Sequence, residues 1–415
     1  MWASSGAEHS QRRAAVCLAA GMGRFFARAT RGIEWIAAAE ITGRAGGTVH
    51  DLGHREVHFS WPDSASASSA AGLGPLLALR TVDDVFAWAG RVDGMGRERS
   101  SLSALARFPA SGVGAALASV ATVRSVAGGA PFDVVASFLG RRNYNRFDIE
   151  DAVGASLERL TGGSYLRRQA SSGPLAPTAL SWRVHVRDDS AILGLRLGAR
   201  PLHRRASAWS TVPGSLHPPV AAALVLLGGV APGQWLGDPF CGSGTILAEY
   251  LHLTPTGRAV GVDASPDAVA AARANLAAAG HGDRALVAEG DAALLPLRPD
   301  ALDVVVTNPP WGRTVALHGS GPAAEARAWQ SVARSLARFG RLVVVTEAPP
   351  SASPGGVLPP PGWVGPVLSF GPLSVSGSKP SVFVYTRSDD PGGALPPPGA
   401  LLASELARFA DHARG

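Results

Sequence analysis

The sequence predicts an α/β protein: a Rossmann-like, doubly wound sheet in its C-terminal half, preceded by smaller α+β units. From about residue 212 onward, strand-like apolar runs alternate with helix-like segments, as such a sheet requires. The runs QWLGDPF, RAVGVDA, ALVAEG, LDVVVTN, RLVVVTE, PVLSF and SVFVYTR are continuous rather than alternating, which fits strands covered on both faces. At 415 residues and 46% hydrophobic content, the chain can fill two or three cores.

Taken in order, residues 1–21 read as a disordered extension, or as a misassigned start with Met22 the true first residue. RFFARA is a short strand, Arg31-Gly32 a turn, and GIEWIAAAEI a helix by its apolar spacing. EVHFSW (56–61) alternates as a strand, SASASSAAG is a loop, and LLALRTVDDVFAWAGRV reads as a helix followed by a strand. These form an α+β unit over 22–98. A second unit, 99–200, starts with helix and continues into the extended run PFDVVASFLG. A helix follows at about 148–160, with acidic residues in its first turn where the helix dipole favours them. LSWRVHVRD and SAILGLRLG, separated by Asp188-Asp189, carry a hairpin signal. PLHRRASAWSTVPGSLHP is a connector into the third unit, 201–388. There Ser265-Pro266-Asp267 is a well-marked helix start. Residues 389–415, opening DDPGGALPPPG, read as a flexible tail.

The net charge is +6, and residues 101–210 hold fourteen Arg against seven Asp or Glu, so the excess lies in the middle of the chain. That balance suits a polyanion, because arginine binds phosphate bidentately. Lys379 is the single lysine, a bias of the kind a GC-rich genome produces. Two cysteines, Cys17 and Cys241, exclude a disulfide framework, and their spacing offers no zinc site; no metal is expected. No apolar run reaches the roughly 20 residues that span a bilayer, and AAVCLAAGMG is a poor signal peptide. The expectation is a cytoplasmic protein without a membrane partner, and a monomer.

The chemistry concentrates in two motifs. In LGDPFCGSGTIL, a strand ends at Asp238 and a glycine turn opens a helix. Gly242 and Gly244 allow a tight turn and a close ligand approach, and the helix start at Thr245 presents free N–H groups. Asp263, ending the next strand, is placed to accept the ribose hydroxyls of a nucleoside cofactor. Asp291, closing the third, is placed for an adenine amine. Cys241 has no accompanying base and reads as a small buried filler. The second motif, VTNPPW, ends a strand at Asn308-Pro309-Pro310-Trp311. The amine of a nucleobase is a weak nucleophile, since its lone pair is delocalised into the ring. The Asn308 side-chain carbonyl and the Pro309 backbone carbonyl could both accept from that NH₂ and orient the lone pair. Proline leaves no competing N–H, and Trp311 offers a face for an extruded base to stack on.

DPFCGSG followed by NPPW resembles the methyltransferases that act on amino groups of RNA or DNA bases. FFARATRGIEWIAAAEI with LRTVDDVF is similar to the ferredoxin-like domain that opens the THUMP-containing RNA methyltransferases. FDVVASFLGRRNYNRFDIEDAVGASL with VHVRDDSAILGLRLGARPLHRR is similar to the THUMP domain itself. The resemblance covers about 22–388. It implies a ferredoxin-like domain (22–98), a THUMP RNA-binding domain (99–200) and a Rossmann-like S-adenosyl-L-methionine (SAM) dependent methyltransferase domain (201–388), with transfer to guanine N2 in tRNA. It assigns Asp238, Phe240, Gly242, Gly244, Thr245, Asp263, Asp291 and Asn308 to SAM, and Asn308, Pro309 and Trp311 to the base. Trp stands where Tyr or Phe is common.

Arg141, Arg142 and Arg146, interleaved with Tyr144, and Arg204 and Arg205 beside His203 are the candidate RNA contacts. Arg313 is a weaker one. Pro213-Gly214-Ser215-Leu216-His217-Pro218 is expected to close over the methionine end of SAM, the alternative being a rigid entry turn. The alternatives are N6-adenine methylation of RNA or DNA, glutamine methylation of a protein, and a non-catalytic RNA-binding factor.

Overall fold

The computed structural model describes residues 22–62, 72–167, 176, 178–205, 209–310, 322–347, 363–374, 379–387 and 400–414. The chain divides into two compact units: Met1–Arg28, Arg44–Leu79 and Asp83–Leu202 in the first, and Ala29–Gly43, Arg80–Val82 and His203–Gly415 in the second.

The first unit is built on one seven-stranded sheet. Its strands are β1 (Met22–Arg28), β2 (Thr48–Gly53), β3 (Glu56–Pro62), β4 (Asp84–Asp93), β5 (Phe132–Phe138), β6 (Leu180–Arg187) and β7 (Ser190–Arg196), in the order β2-β3-β1-β4-β7-β6-β5. The sequence places a boundary near residue 98. Yet β4 pairs antiparallel with β7 from Phe86↔Arg196 to Asp93↔Ser190, so strands from both sides of that boundary share one sheet. The β6–β7 hairpin turns at Asp188-Asp189, as its sequence signal requires, with Asp188 at φ 53°. β2 is an element the sequence reading lacks, and it joins β3 through a hairpin with Arg55 at φ 60°. The helix expected from about 148 begins at Arg146 and runs to Thr161. Asn145 caps it, accepting from Phe147 and Asp148 N–H, while the Asp148 carboxylate accepts from Asn145 N–H.

The helix Glu34–Glu40 follows β1 in sequence but belongs to the second unit, as do Arg80–Val82. Trp35 on this helix meets Phe370 edge-on and Arg80 pairs with Glu249, which ties both segments to the second unit. Glu40, fully buried, joins them to each other: its carboxylate accepts from the N–H of Arg80 and Thr81 and from Thr81 Oγ1. Breaking that array would strand three donors in the core.

The second unit carries the other seven-stranded sheet: β8 (Trp235–Asp238), β9 (Arg258–Asp263), β10 (Ala285–Glu289), β11 (Leu302–Thr307), β12 (Leu336–Thr346), β13 (Trp363–Phe370) and β14 (Ser381–Arg387). The order is β10-β9-β8-β11-β12-β14-β13, parallel from β10 to β12, with β14 antiparallel to β12. The chain runs outward from β8 through β9 to β10 and then returns to β11 on the other side of β8. In open α/β sheets ligands bind outside the carboxyl ends of the strands at such a reversal. β8 and β11 carry the two sequence motifs at those ends. The expected tail at 389–415 is corrected for 400–414: Ala403–Phe409 is a helix that buries Leu406 and Phe409, and Leu401 N–H donates to Val230 O. Among the described residues no single helix is long and apolar enough to cross a membrane, and no group of three or more His, Cys, Asp or Glu could hold a metal ion.

Candidate active site

Asp238 ends β8 at 2% exposure. Its Oδ1 accepts from Thr307 Oγ1 at 2.7 Å and from Phe240 N–H at 3.2 Å. Thr307, itself buried, ends β11. One hydrogen bond therefore ties the last residue of β8 to the last residue of β11, directly before Asn308. Burial pushes the Asp238 carboxyl up to about 7, against these two hydrogen bonds, with the Asp263 carboxylate pushing the same way.

The glycine turn is held from beneath. Cys241 N–H donates to Val262 O on β9, and Gly242 N–H donates to Asp263 Oδ2 at 2.8 Å. Gly244 sits at φ +80°, and a Cβ there would lie 3.2 Å from Ala272 Cβ on the following helix, so glycine is required on both counts. The helix Thr245–Leu253 starts here, and its first-turn N–H groups face the turn without intrahelical partners. Asp263 Oδ1 accepts from Ser265 N–H at 2.9 Å. Each Asp263 oxygen thus has one donor and keeps a lone pair for hydroxyl groups. Asp291 is half-buried beyond β10, with Oδ1 capping Ala293 N–H at 2.8 Å. The half-buried Phe240 ring meets Trp329 edge-on. Cys241 is buried and its thiol is held well above its ordinary range by that burial, as befits a filler.

Asn308 faces the lead-in loop. Its Nδ2 donates to Gly214 O at 3.1 Å, which fixes the amide so that Oδ1 is the free end. That oxygen is buried and, among the described residues, has no hydrogen-bond partner. A buried acceptor left unmade costs about 1–3 kcal/mol, which a ligand amine would recover. The Val212–Ser215 loop carrying Gly214 is itself tied to the glycine turn. Ser215 Oγ accepts from Val212 N–H and lies 2.9 Å from Ser243 Oγ, while Asn275 Nδ2 donates to both Ser210 O and Ser243 O. The loop, the glycine turn and Asn308 are therefore one hydrogen-bonded body. Trp311 and Arg313 lie outside the described residues. Sequence reasoning assigns no role to Thr307 or Ser243, although Thr307 lies inside the second motif and Ser243 inside the first, and it offers Ser215 only as part of a closing loop. Nothing local tells that their hydroxyls join the motifs.

Residues 205–352 match the family described as UPF0020, RMKL-like, methyltransferase domain. The match spans about a third of the chain and contains both sequence motifs. The acids at the ends of β8, β9 and β10, with the glycine turn between them, are a set of acceptors and backbone N–H groups that fits SAM. The chain is 35% identical over 186 residues, 45% of its length, to the tRNA (guanine(6)-N2)-methyltransferase of Thermus thermophilus, of which the match covers 52%. It is 28% identical over 159 residues to the U6 snRNA (guanine-N(2))-methyltransferase THUMPD2 of Bos taurus, covering 31% of that protein. The chain thus spans about half, or less, of the length of these relatives. In three dimensions it is similar to the crystal structure of TrmN from Thermus thermophilus, at a TM-score of 0.67 and 25% identity, over 88% of this chain and 99% of that one.

The candidate RNA arginines do not behave alike. In the methyltransferase unit, Arg204 is exposed. Arg205 is corrected: its Nε donates to Glu249 Oε1 at 2.9 Å, its Nη2 to Arg80 O, and Arg80 forks onto the same buried carboxylate at 2.8 and 2.9 Å. A buried acid holds both guanidiniums, so Arg205 is a structural residue. In the first unit Arg141 and Arg146 are exposed, the latter with its guanidinium 4.6 Å over the Phe147 ring. Arg142 is corrected as well. It donates to Met95 O, Gly96 O, Tyr144 OH and Asp188 O, and Tyr144 is buried with its hydroxyl on Gly96 O. The pair closes loops; it is not an open stacking surface.

Proposed function

We propose that this chain methylates the exocyclic N2 amine of a guanine in tRNA, with residues 99–200 acting as a THUMP-type RNA-binding element. The observation that carries the reading is the buried, partnerless Oδ1 of Asn308 at the carboxyl end of β11, oriented by its amide bond to Gly214 O. It is an acceptor waiting for an N–H donor beside a SAM fold's switch point. The guanine-N2 activity of the relatives in Thermus thermophilus and Bos taurus supports the choice of amine, and the local excess of arginine supports an RNA substrate.

SAM supplies an activated methyl on a sulfonium. Asn308 Oδ1 and the Pro309 carbonyl accept the two amine hydrogens and turn the nitrogen lone pair out of conjugation. Trp311, which lies outside the described residues, would offer its ring face to the base. With SAM bound, its methyl would pass to the amine as the S–C bond breaks, leaving S-adenosylhomocysteine, and the amine would give up a proton to solvent. Such a transfer needs alignment more than a strong base. Asp263 and Asp291 hold the nucleoside end, while the turn at Gly242–Gly244 and the loop at Gly214 border the rest.

The test is to incubate the purified chain with methyl-labelled SAM and unmodified bulk tRNA, digest to nucleosides and identify the labelled one. N2-methylguanosine is the expected product. N6-methyladenosine would overturn the base assignment. Label in ribosomal RNA alone would overturn the tRNA assignment. No label in any RNA by a chain that binds SAM would favour a non-catalytic RNA-binding role.

A further inference from the structure

The sheet of the first unit carries a row of charged side chains across one face. Arg28 pairs with Glu56 at 2.8 Å, and Glu56 also receives His58 at 3.3 Å. Arg196 pairs with Asp84 at 2.6 Å. Arg55 and Arg187 lie 3.7 Å from Asp83 and Asp188. Arg183 on β6 differs from all of these: among the described residues no carboxylate lies within ion-pair distance of it. It is half-buried, and its hydrogen bond runs from Nη2 to the neutral Ser137 Oγ at 3.1 Å. Burial pushes Arg183 down to about 10, with Arg28, Arg55 and Arg196 adding like charge against the pull of Glu56, so it stays cationic at neutral pH. A partly buried cation with no carboxylate in contact, among more positive neighbours than negative ones, is costly unless an anion completes it.

Two residues along the same strand, and on the same face, His185 meets the same hydroxyl. Its Nδ1 lies 2.8 Å from Ser137 Oγ, the residue opposite it on β5. Ser137 accepts from Arg183, and its own hydrogen is then best used toward His185 Nδ1. This places the ring proton of the neutral imidazole on Nε2. His185 is 4% exposed, and among the described residues neither its Nε2 nor the buried Nε–H of Arg183 has a hydrogen-bond partner. Two orphaned donors, on side chains that share one serine, accompany one positive charge with no carboxylate in contact. Both defects are cured by the same thing, an oxyanion.

We propose that Arg183, His185 and Ser137 form a phosphate-binding subsite on the sheet of the first unit, which takes a backbone phosphate of the RNA substrate. This rests on the RNA reading given above, and the test separates the two. The full chain, as wild type, Arg183→Met and Arg183→Lys, is titrated with tRNA across a salt series. The same three proteins are melted with and without inorganic phosphate, and their affinity for S-adenosylhomocysteine is measured.

Arg183→Met should weaken tRNA binding several-fold and make the slope of log affinity against log salt shallower by about 1. Arg183→Lys should restore most of that slope. The Met variant should melt no lower than wild type, because it loses an unpaired buried charge, and its cofactor affinity should be unchanged. Inorganic phosphate should raise the wild-type midpoint and not that of the Met variant. An unchanged affinity and slope for Arg183→Met overturns the proposal, and so does a lowered midpoint with an unchanged slope, which would make the arginine structural. A phosphate effect lost in the variant while tRNA binding stays intact would keep an anion site and overturn its assignment to RNA. If wild type neither binds nor methylates tRNA, the RNA reading itself fails, and the melting series alone decides whether an anion binds.

Discussion

Asp238→Asn isolates a single buried proton. The carboxyl ends β8 with 2% exposure, and burial moves it from 3.8 to about 7. Between those values the native state holds a proton that the unfolded chain has already lost. The group therefore stabilises the fold fully below about 3.8, and that contribution falls as pH rises, until it is gone above about 7. The total loss is ~4 kcal/mol, equivalent to a midpoint shift on the order of 10 °C for a unit of this size. Asparagine keeps the shape and an Oδ1 for Thr307 but carries no ionisation. The melting midpoint of Asp238→Asn minus that of wild type should thus grow by most of this amount between about pH 4.5 and 8. The assay is thermal unfolding of the cofactor-free chain, followed by tryptophan fluorescence at several pH values. Asp84, raised to about 6 by burial, and Glu56, lowered to about 2, titrate in both proteins and cancel in the difference. A difference that stays flat from pH 4.5 to 8 would show that Asp238 is not a buried acid with a raised pKa.

The cofactor provides a companion measurement: a cationic amino-acid end beside Asp238 favours its ionised form, so calorimetric affinity for S-adenosylhomocysteine should rise with pH to about 7 and level off. A flat profile would place that cation elsewhere. Asn308→Ala should lower kcat for methyl transfer by roughly 10²–10³-fold while cofactor affinity holds; loss of cofactor binding instead would mean the residue has a different role. Glu249→Ala leaves the guanidiniums of Arg80 and Arg205 without their shared buried acid and should destabilise the methyltransferase unit by about 3–5 kcal/mol in urea denaturation. Arg142→Ala should lower the melting midpoint, whereas Arg146→Ala should weaken tRNA binding with the midpoint unchanged; the reverse pattern would restore Arg142 as the RNA contact.

What could be read from the sequence was whatever depends on neighbours in the chain. The continuous apolar runs of β8 to β12, the glycine turn after Asp238, the Ser265-Pro266 helix start and the Asp188-Asp189 hairpin are all local signals, and each lies where it was expected. Partnerships across long sequence distances were not legible. Arg205 and Arg142 look like free cations in a basic segment. Only the fold shows that Glu249 and the carbonyls of residues 95, 96 and 188 consume them. The helix Glu34–Glu40 reads as part of the domain that surrounds it. Its assignment to the other unit depends on partners far along the chain, Phe370 against Trp35 and, through Glu40 and Arg80, Glu249. The helix Ala403–Phe409 was hidden by the proline- and glycine-rich stretch before it.

The same reasoning explains why the two motifs work as one site. A glycine turn that binds a cofactor and an Asn-Pro-Pro turn that binds a base could each exist alone, and methyl transfer would then depend on chance alignment. Here β8 and β11 are parallel neighbours at the sheet's reversal, paired at Val304↔Leu236 and Val305↔Gly237. Their ends are locked by Thr307 Oγ1 on Asp238, and the loop bearing Gly214 bonds both to the glycine turn, through Ser215 and Ser243, and to Asn308. Any shift of the Asn308 amide relative to the turn must break one of these bonds, of which the one between Thr307 and Asp238 is buried and the costliest to lose. Reacting atoms must be held within a few tenths of an ångström of a productive line, and misplacement by about 1 Å can cost 10²-fold in rate. In the proposed reaction the hydroxyls of Thr307, Ser215 and Ser243 would therefore serve as alignment devices, even though none of them need touch the methyl group.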